Sequence, residues 1–197
     1  MVAVAPIPSS EMARLQALYS HHILDTPPDE RFDLFTRIST WLFDAPVSAI
    51  NFIDTDRTFF KSLIGFPAYA PLRSTSICAH AVGGEEAVMV VEDLAQDSRF
   101  HDHPLFVAKG LRFYAGTVLL AGSGHLLGTL CLGDVRPRTF SADERQKLVA
   151  LGKGVSAVLD LHRSSLLLLQ AASEDTLTGL CNRRNCSTHP LWRNTLK

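Results

Sequence analysis

The chain has 197 residues, 46% hydrophobic and 20% charged, which is enough apolar material for a packed core and too little charge for a disordered chain. Nineteen basic against twenty acidic side chains leave a net charge of −1 without a block of like charge, so nothing marks DNA, RNA or an anionic membrane as partner. The longest leucine run, Leu166 to Leu169, is far below the ~18 apolar residues of a membrane helix, and the N-terminus lacks a secretory pattern; a cytoplasmic protein with four reduced cysteines is expected.

Residues 1–10, with Pro6, Pro8, Ser9 and Ser10, predict a flexible tail. From Glu11 to Ser20, Met12, Leu15, Leu18 and Tyr19 recur at helical spacing and predict a short amphipathic helix. Asp25-Thr26-Pro27-Pro28 reads as a turn that also caps a longer helix, which carries Phe32, Phe35, Ile38, Leu42 and Phe43 on one face and stops before Pro46. The apolar period then falls to two over 47–54. With Thr55-Asp56 as connection, residues 57–64 complete a predicted β-hairpin. Residues 87–91 predict a short strand, and 112–120 a longer one paired with 126–132 across Gly122-Ser123-Gly124. The helical period returns at Ser141, with Asp143 and Glu144 placed to favour the helix dipole. Leu148, Leu151, Val155, Val158 and Leu169 form a seam there; Leu148 to Val158 is expected to pack on the domain's own sheet and Leu159 to Leu169 to pair with a second chain as a homodimer. Helices flanking antiparallel strands give an α+β fold, with terminal helices on one sheet face and loops over a pocket on the other.

PAS and GAF domains both have this layout, and the motifs discriminate between them. Glu11-Met-Ala-Arg-Leu-Gln-Ala-Leu18, Ile23-Leu-Asp-Thr-Pro-Pro28, Phe52-Ile-Asp-Thr-Asp-Arg57, Phe60-Lys-Ser62, Ser76-Ile-Cys-Ala-His-Ala81, Asp97-Ser-Arg-Phe100, Arg112-Phe-Tyr-Ala-Gly116 and Gly128-Thr-Leu-Cys-Leu132 together resemble a bacterial subgroup of GAF sensor domains found ahead of GGDEF diguanylate cyclase domains. The resemblance covers residues 11–162, followed by a connecting signalling helix over 163–174. Asp175-Thr-Leu-Thr-Gly-Leu-Cys-Asn-Arg-Arg184 resembles the opening of a GGDEF domain, and 175–197 is read as a truncated segment of that kind. The cyclase's catalytic hairpin does not follow it. Gly83-Gly84-Glu85-Glu86 lies far upstream, has Ala87 in place of phenylalanine, and is read as a turn. The expectation is a non-catalytic sensor; a fragment of a diguanylate cyclase and a thiol-based redox GAF protein are the alternatives.

The resemblance implies a small-molecule pocket near Phe52, Phe59, Lys61, Cys78, His80, Tyr114, Thr129 and Cys131, with Ile77 and Phe113 close by. It leaves the ligand and any cofactor open. Cys78 and His80 could form a thiol–imidazole pair, or be a small buried hydrophobe and a structural histidine. Cys131 is read as core unless it approaches Cys78 within about 7 Å between Cα atoms. His101-Asp102-His103 offers metal-ligand types in what reads as a solvated loop, and Cys181, Cys186 and His189 are a weaker set. Lys61 and Arg73 could meet an anionic ligand or simply be solvated.

Overall fold

The computed structural model describes residues 3–66, 71–103 and 110–173. Its elements are α1 (Glu11–Tyr19), α2 (Glu30–Phe43), β1 (Val47–Ile53), β2 (Thr58–Ile64), a 3-10 turn (Arg73–Thr75), α3 (Ile77–Gly83), β3 (Val88–Val91), β4 (Phe113–Leu120), β5 (Leu126–Asp134) and α4 (Ala142–Ser173). The strands form an antiparallel sheet in the order β2-β1-β5-β4-β3. The fold is α+β.

Local chemistry fixes the helix ends. Asp29 caps α2 by accepting from the Arg31 amide at 3.0 Å. The cap thus lies four residues beyond Asp25, which instead takes a left-handed turn at φ 56°. Ser141 and Glu144 form a reciprocal capping box at the start of α4, with Glu144 accepting from the Ser141 amide at 2.8 Å and the Ser141 hydroxyl accepting from the Glu144 amide at 3.2 Å. The segment before α1, expected to be a loose tail, is held from Ala3 onward. The Ala3 amide donates to Arg99 O, the Ala5 amide to Ser74 O, and Ala5 is buried.

The sheet separates two apolar compartments. Leu18, Ile23, Phe32, Phe43, Ile50, Phe52, Phe113, Ala115, Leu130, Leu148 and Val155 fill the one beneath α1, α2 and α4. Ala49, Ile53, α3, Tyr114, Cys131, Phe100 and Leu111 fill the other. Residues of β1 alternate strictly between them, as the period of a strand requires. Strand β5 crosses β1 closely because Gly128 has no side chain: a Cβ there would lie 1.8 Å from the Asn51 carbonyl oxygen.

The chain divides into Met1–Asp160 and Leu161–Lys197. Within the first unit, α4 buries Leu148, Val155 and Leu159. Leu159, expected on the outward seam, therefore belongs to the domain's core. In the second unit, Leu161, Leu167, Leu168 and Leu169 are exposed. Residues 174–197, with the GGDEF-like segment and Cys181, Cys186 and His189, lie outside the described residues.

Many motif side chains join one element to another. Glu11 accepts from Arg14 Nε and Nη2, each at 2.8 Å, and from Arg73 Nη1 at 2.5 Å. The Tyr19 hydroxyl donates to Asp54 at 2.9 Å, and Arg57 reaches both Asp54 and Asp25. Burial works to raise the Glu11 carboxyl, but the bonds and charges of Arg14 and Arg73 outweigh it and hold the group at about 2 rather than 4.5. A carboxyl lowered on folding stabilises fully above its unfolded value and loses that contribution as pH falls towards its folded one. Glu11→Gln is expected to cost about 1–3 kcal/mol at neutral pH and to flatten the loss of stability between pH 4.5 and about 2. Urea denaturation at a series of pH values measures both; an unchanged acid limb would contradict the assignment.

Candidate functional site

Helix α3 starts at Ser76, whose hydroxyl accepts from the Ala79 amide, and every residue from Ile77 to Val82 is buried. Small side chains at Cys78, Ala79 and Ala81 let the helix lie close on the sheet. Between α3 and β1, β4 and β5 is a cavity of about 60 Å³. Its walls are mainly apolar, with Ala49, Phe60, Leu63, Ile77, Leu111 and Tyr114 prominent, and Cys78, Cys131, Ser76 and His103 contribute polar atoms. It lies far below the roughly 300–1,000 Å³ of drug-sized ligand sites.

A buried polar cluster forms part of this wall. Asn51 Nδ2 donates to Thr129 Oγ1 at 2.9 Å and to Cys78 Sγ at 3.2 Å, with Cys131 Sγ at 3.7 Å. The two sulfurs are 3.8 Å apart, the Cys78 thiol donating to Cys131 in the neutral pair. Tyr114 completes the group. Its ring lies over Gly116, where a Cβ would be 2.3 Å from the phenol oxygen, so glycine is required at that position. The phenol has no well-formed hydrogen bond to the neutral groups around it, yet it adjoins Cys78 and Thr129 closely enough to influence the thiol. A thiolate at Cys78 would give it an acceptor.

The electrostatics differ sharply within the pair. Hydrogen bonding with Cys131, which can donate to the Cys78 thiolate, brings the Cys78 thiol down to about 7 against the opposing effect of burial, helped by Tyr114, Thr129 and Asn51. The same bond and burial push Cys131 upward. Burial, together with the two neighbouring sulfurs, raises the Tyr114 phenol well above its ordinary value.

Of the residues expected at a pocket, Cys78, Tyr114 and Cys131 line the cavity and Thr129 joins the cluster behind it. Phe52 and Phe59 do not reach it; both sit in the compartment beneath the long helices. Lys61 is also on that side. The β1–β2 register slips between Ile50 and Asn51, pairing Ile50 with Ser62 and Asn51 with Phe60, so Lys61 is the extra residue of a bulge. Its ammonium donates to Thr26 Oγ1 and Pro27 O, both at 2.6 Å, and burial lowers its pKa. Arg73 is likewise committed to Glu11 and Asp54 O.

Cys78 and His80 are not a thiol–imidazole pair. Two residues apart on a helix, they face different directions: Cys78 meets Asn51 and Cys131, whereas His80 Nδ1 lies 3.1 Å from Ser76 O and its ring packs edge-on to Phe100. His101 and His103 also separate. His101 is at the surface beside Asp102, and buried His103 bonds to Thr75 O. Asn51 is not among the residues expected at the site, although a lone amide within Ala49-Ile50-Asn51-Phe52-Ile53 is itself a sign of a buried polar network.

The GAF domain family model matches residues 27–159. The chain belongs to the GAF domain family. This GAF chain is 33% identical over 184 residues to the cyclic di-GMP phosphodiesterase PA2567 of Pseudomonas aeruginosa, a match covering 92% of the chain and 30% of that protein. It thus spans under a third of the relative's length. Among solved structures, it matches the PixJ GAF domain of Thermosynechococcus elongatus in its blue-light absorbing form, with a TM-score of 0.57, 15% identity, and coverage of 81% of this chain and 95% of that one. It also matches the chromophore-binding domain of a bacteriophytochrome from R. palustris, with a TM-score of 0.58, 12% identity, and coverage of 81% and 65% respectively. These likenesses show the fold.

In this GAF domain the low value at Cys78 depends first on Cys131. Alkylation of Cys78, followed by peptide mass spectrometry across pH, is expected to have a midpoint of about 7. Cys131→Ala should move it upward; an unmoved midpoint would show that the sulfur–sulfur bond does not set it.

Proposed function

We propose that this chain is the sensory portion of a cyclic di-GMP signalling protein, binding a compact ligand against α3 and signalling along α4 to an output domain. The cavity between α3 and the sheet carries the reading. It combines an apolar wall with a few convergent polar groups, the usual composition of a small-molecule site, and its size favours a ligand of a few heavy atoms over a tetrapyrrole or dinucleotide. The relative's naming as a cyclic di-GMP phosphodiesterase, together with the resemblance of residues 175–184 to a GGDEF opening, supports cyclic di-GMP turnover as the output. The domain itself is non-catalytic in this reading.

Signalling requires only that the ligand bind one of two conformations more tightly. Helix α4 is suited to report the difference because Leu148 and Val155 pack directly in the core while the helix continues to Ser173. The exposed Leu161, Leu167, Leu168 and Leu169 support a homodimer formed through the later part of that helix.

Native mass spectrometry of freshly purified protein, with a denatured control, tests the reading. The expected species is a dimer carrying a small extra mass that is lost on denaturation. Leu167→Asp with Leu168→Asp should give a monomer that retains the extra mass. A bare species that also fails to bind any small molecule from a metabolite extract would overturn ligand sensing, and an unchanged dimer in the double variant would overturn the helical contact.

A further inference from the structure

Two thiols from distant parts of the chain meet in the cavity wall. Cys78 on α3 and Cys131 on β5 are 53 positions apart in sequence, yet their sulfurs are 3.8 Å apart, with the Asn51 amide and the Thr129 hydroxyl beside both. A disulfide is about 2.05 Å long, so closing one requires an approach of less than about 2 Å, within reach of side-chain rotation and a small shift of α3. Both sulfurs line the same cavity of about 60 Å³, which has space for a two-oxygen molecule.

We propose that Cys78 and Cys131 form an oxidative modification site in which hydrogen peroxide converts the dithiol to an intramolecular disulfide. The arrangement of donors assigns the roles. Asn51 Nδ2 donates to Cys78 Sγ at 3.2 Å, against 3.7 Å to Cys131, the otherwise unpartnered Tyr114 phenol lies beside Cys78, and once Cys78 has lost its proton the Cys131 thiol 3.8 Å away is placed to donate to it. These groups stabilise negative charge on Cys78, making it the attacking sulfur, while Cys131 remains protonated as the resolving thiol. The opposite displacement of the two thiols' acidities agrees with this order.

In the first step the Cys78 thiolate attacks one peroxide oxygen. A sulfur–oxygen bond forms, the oxygen–oxygen bond breaks, and the departing hydroxide takes up the proton released when Cys78 ionised, leaving as water. Cys78 is then a sulfenic acid, oxidised by two electrons, and the peroxide has been reduced. In the second step the Cys131 sulfur attacks Cys78. The disulfide forms, the sulfur–oxygen bond breaks, and the leaving hydroxide takes the Cys131 proton as a second water. The sum is two thiols and one peroxide giving one disulfide and two waters. Asn51 and Tyr114 act as positioning residues through the Cys78 sulfur. The product ties α3 covalently to the central strand, whichever small ligand the cavity otherwise accepts, so the site stands independently of the proposed ligand.

The test uses the full reduced chain exposed to stoichiometric hydrogen peroxide, with remaining thiols alkylated under denaturing conditions before digestion and mass spectrometry. The expected product is a Cys78–Cys131 peptide pair lighter by two hydrogens and separated by dithiothreitol. Cys131→Ser should abolish the link and leave a Cys78 sulfenic acid trapped by dimedone. Tyr114→Phe, checked for folding by circular dichroism, should slow disulfide formation by about 2- to 12-fold, the range for loss of one hydrogen bond. Folded protein that leaves Cys78 unmodified, forms its sulfenic acid on Cys131, or links Cys78 only to Cys181 or Cys186 would overturn the proposal. An unaltered rate in folded Tyr114→Phe would overturn the positioning role.

Discussion

Both faces of the sheet are covered, and this constraint governs everything placed on its middle strands. Each side chain of β1 enters one of two apolar compartments; the Ser48 hydroxyl stays without a partner there, but a whole amide calls for partners inside the protein because each unpaired buried group costs about 1–3 kcal/mol. Asn51 meets that requirement with Thr129 on the neighbouring strand and Cys78 on the covering helix. The amide thereby connects sheet, helix and cavity wall. Gly128 allows β5 to approach its backbone and Gly116 allows Tyr114 to lie across the same face, so two missing side chains are as necessary to the site as the groups that form it.

The structure divides labour between its two sheet faces. Beneath α1, α2 and α4, large side chains such as Phe32, Phe52 and Phe113 are fully buried. On the α3 face, smaller residues leave a cavity with thiol, phenol and amide groups at its wall. Large buried side chains on one face and a cavity on the other give a platform and a place where the proposed occupancy or oxidation would act on α3. Most charged motif residues serve the platform: Asp25, Asp54 and Arg57 tie the α1–α2 connection to the β1–β2 turn, while Ser62 bonds to Asp33 and Thr36 of α2.

Elements with contrasting periodicity were legible in the sequence. The five strands and the amphipathic α1 and α2 follow from apolar spacing, and the α+β layering follows from their order. Face assignment was harder because Ala49-Ile50-Asn51-Phe52-Ile53 is buried on both sides, which removes the polar–apolar contrast that tells one face from the other. Phe52 and Phe59 were therefore expected at the cavity although register places both beneath the helices. The bulge at Lys61 has no signal in local composition. The short α3 mattered equally: its helical geometry directs Cys78 and His80 apart and brings Cys78 to Cys131 instead.

In the proposed sensor, the α3 side of the sheet is the responsive face. Methyl-resolved NMR of the protein stripped of small molecules, then titrated with a low-molecular-weight metabolite extract, examines both compartments at once. Shifts are expected to concentrate at Ala49, Leu63, Ile77 and Leu111, with Ile50, Leu130 and Leu148 nearly unchanged. Shifts centred on the second group, or no shift at any of these methyls, would contradict a responsive α3 face.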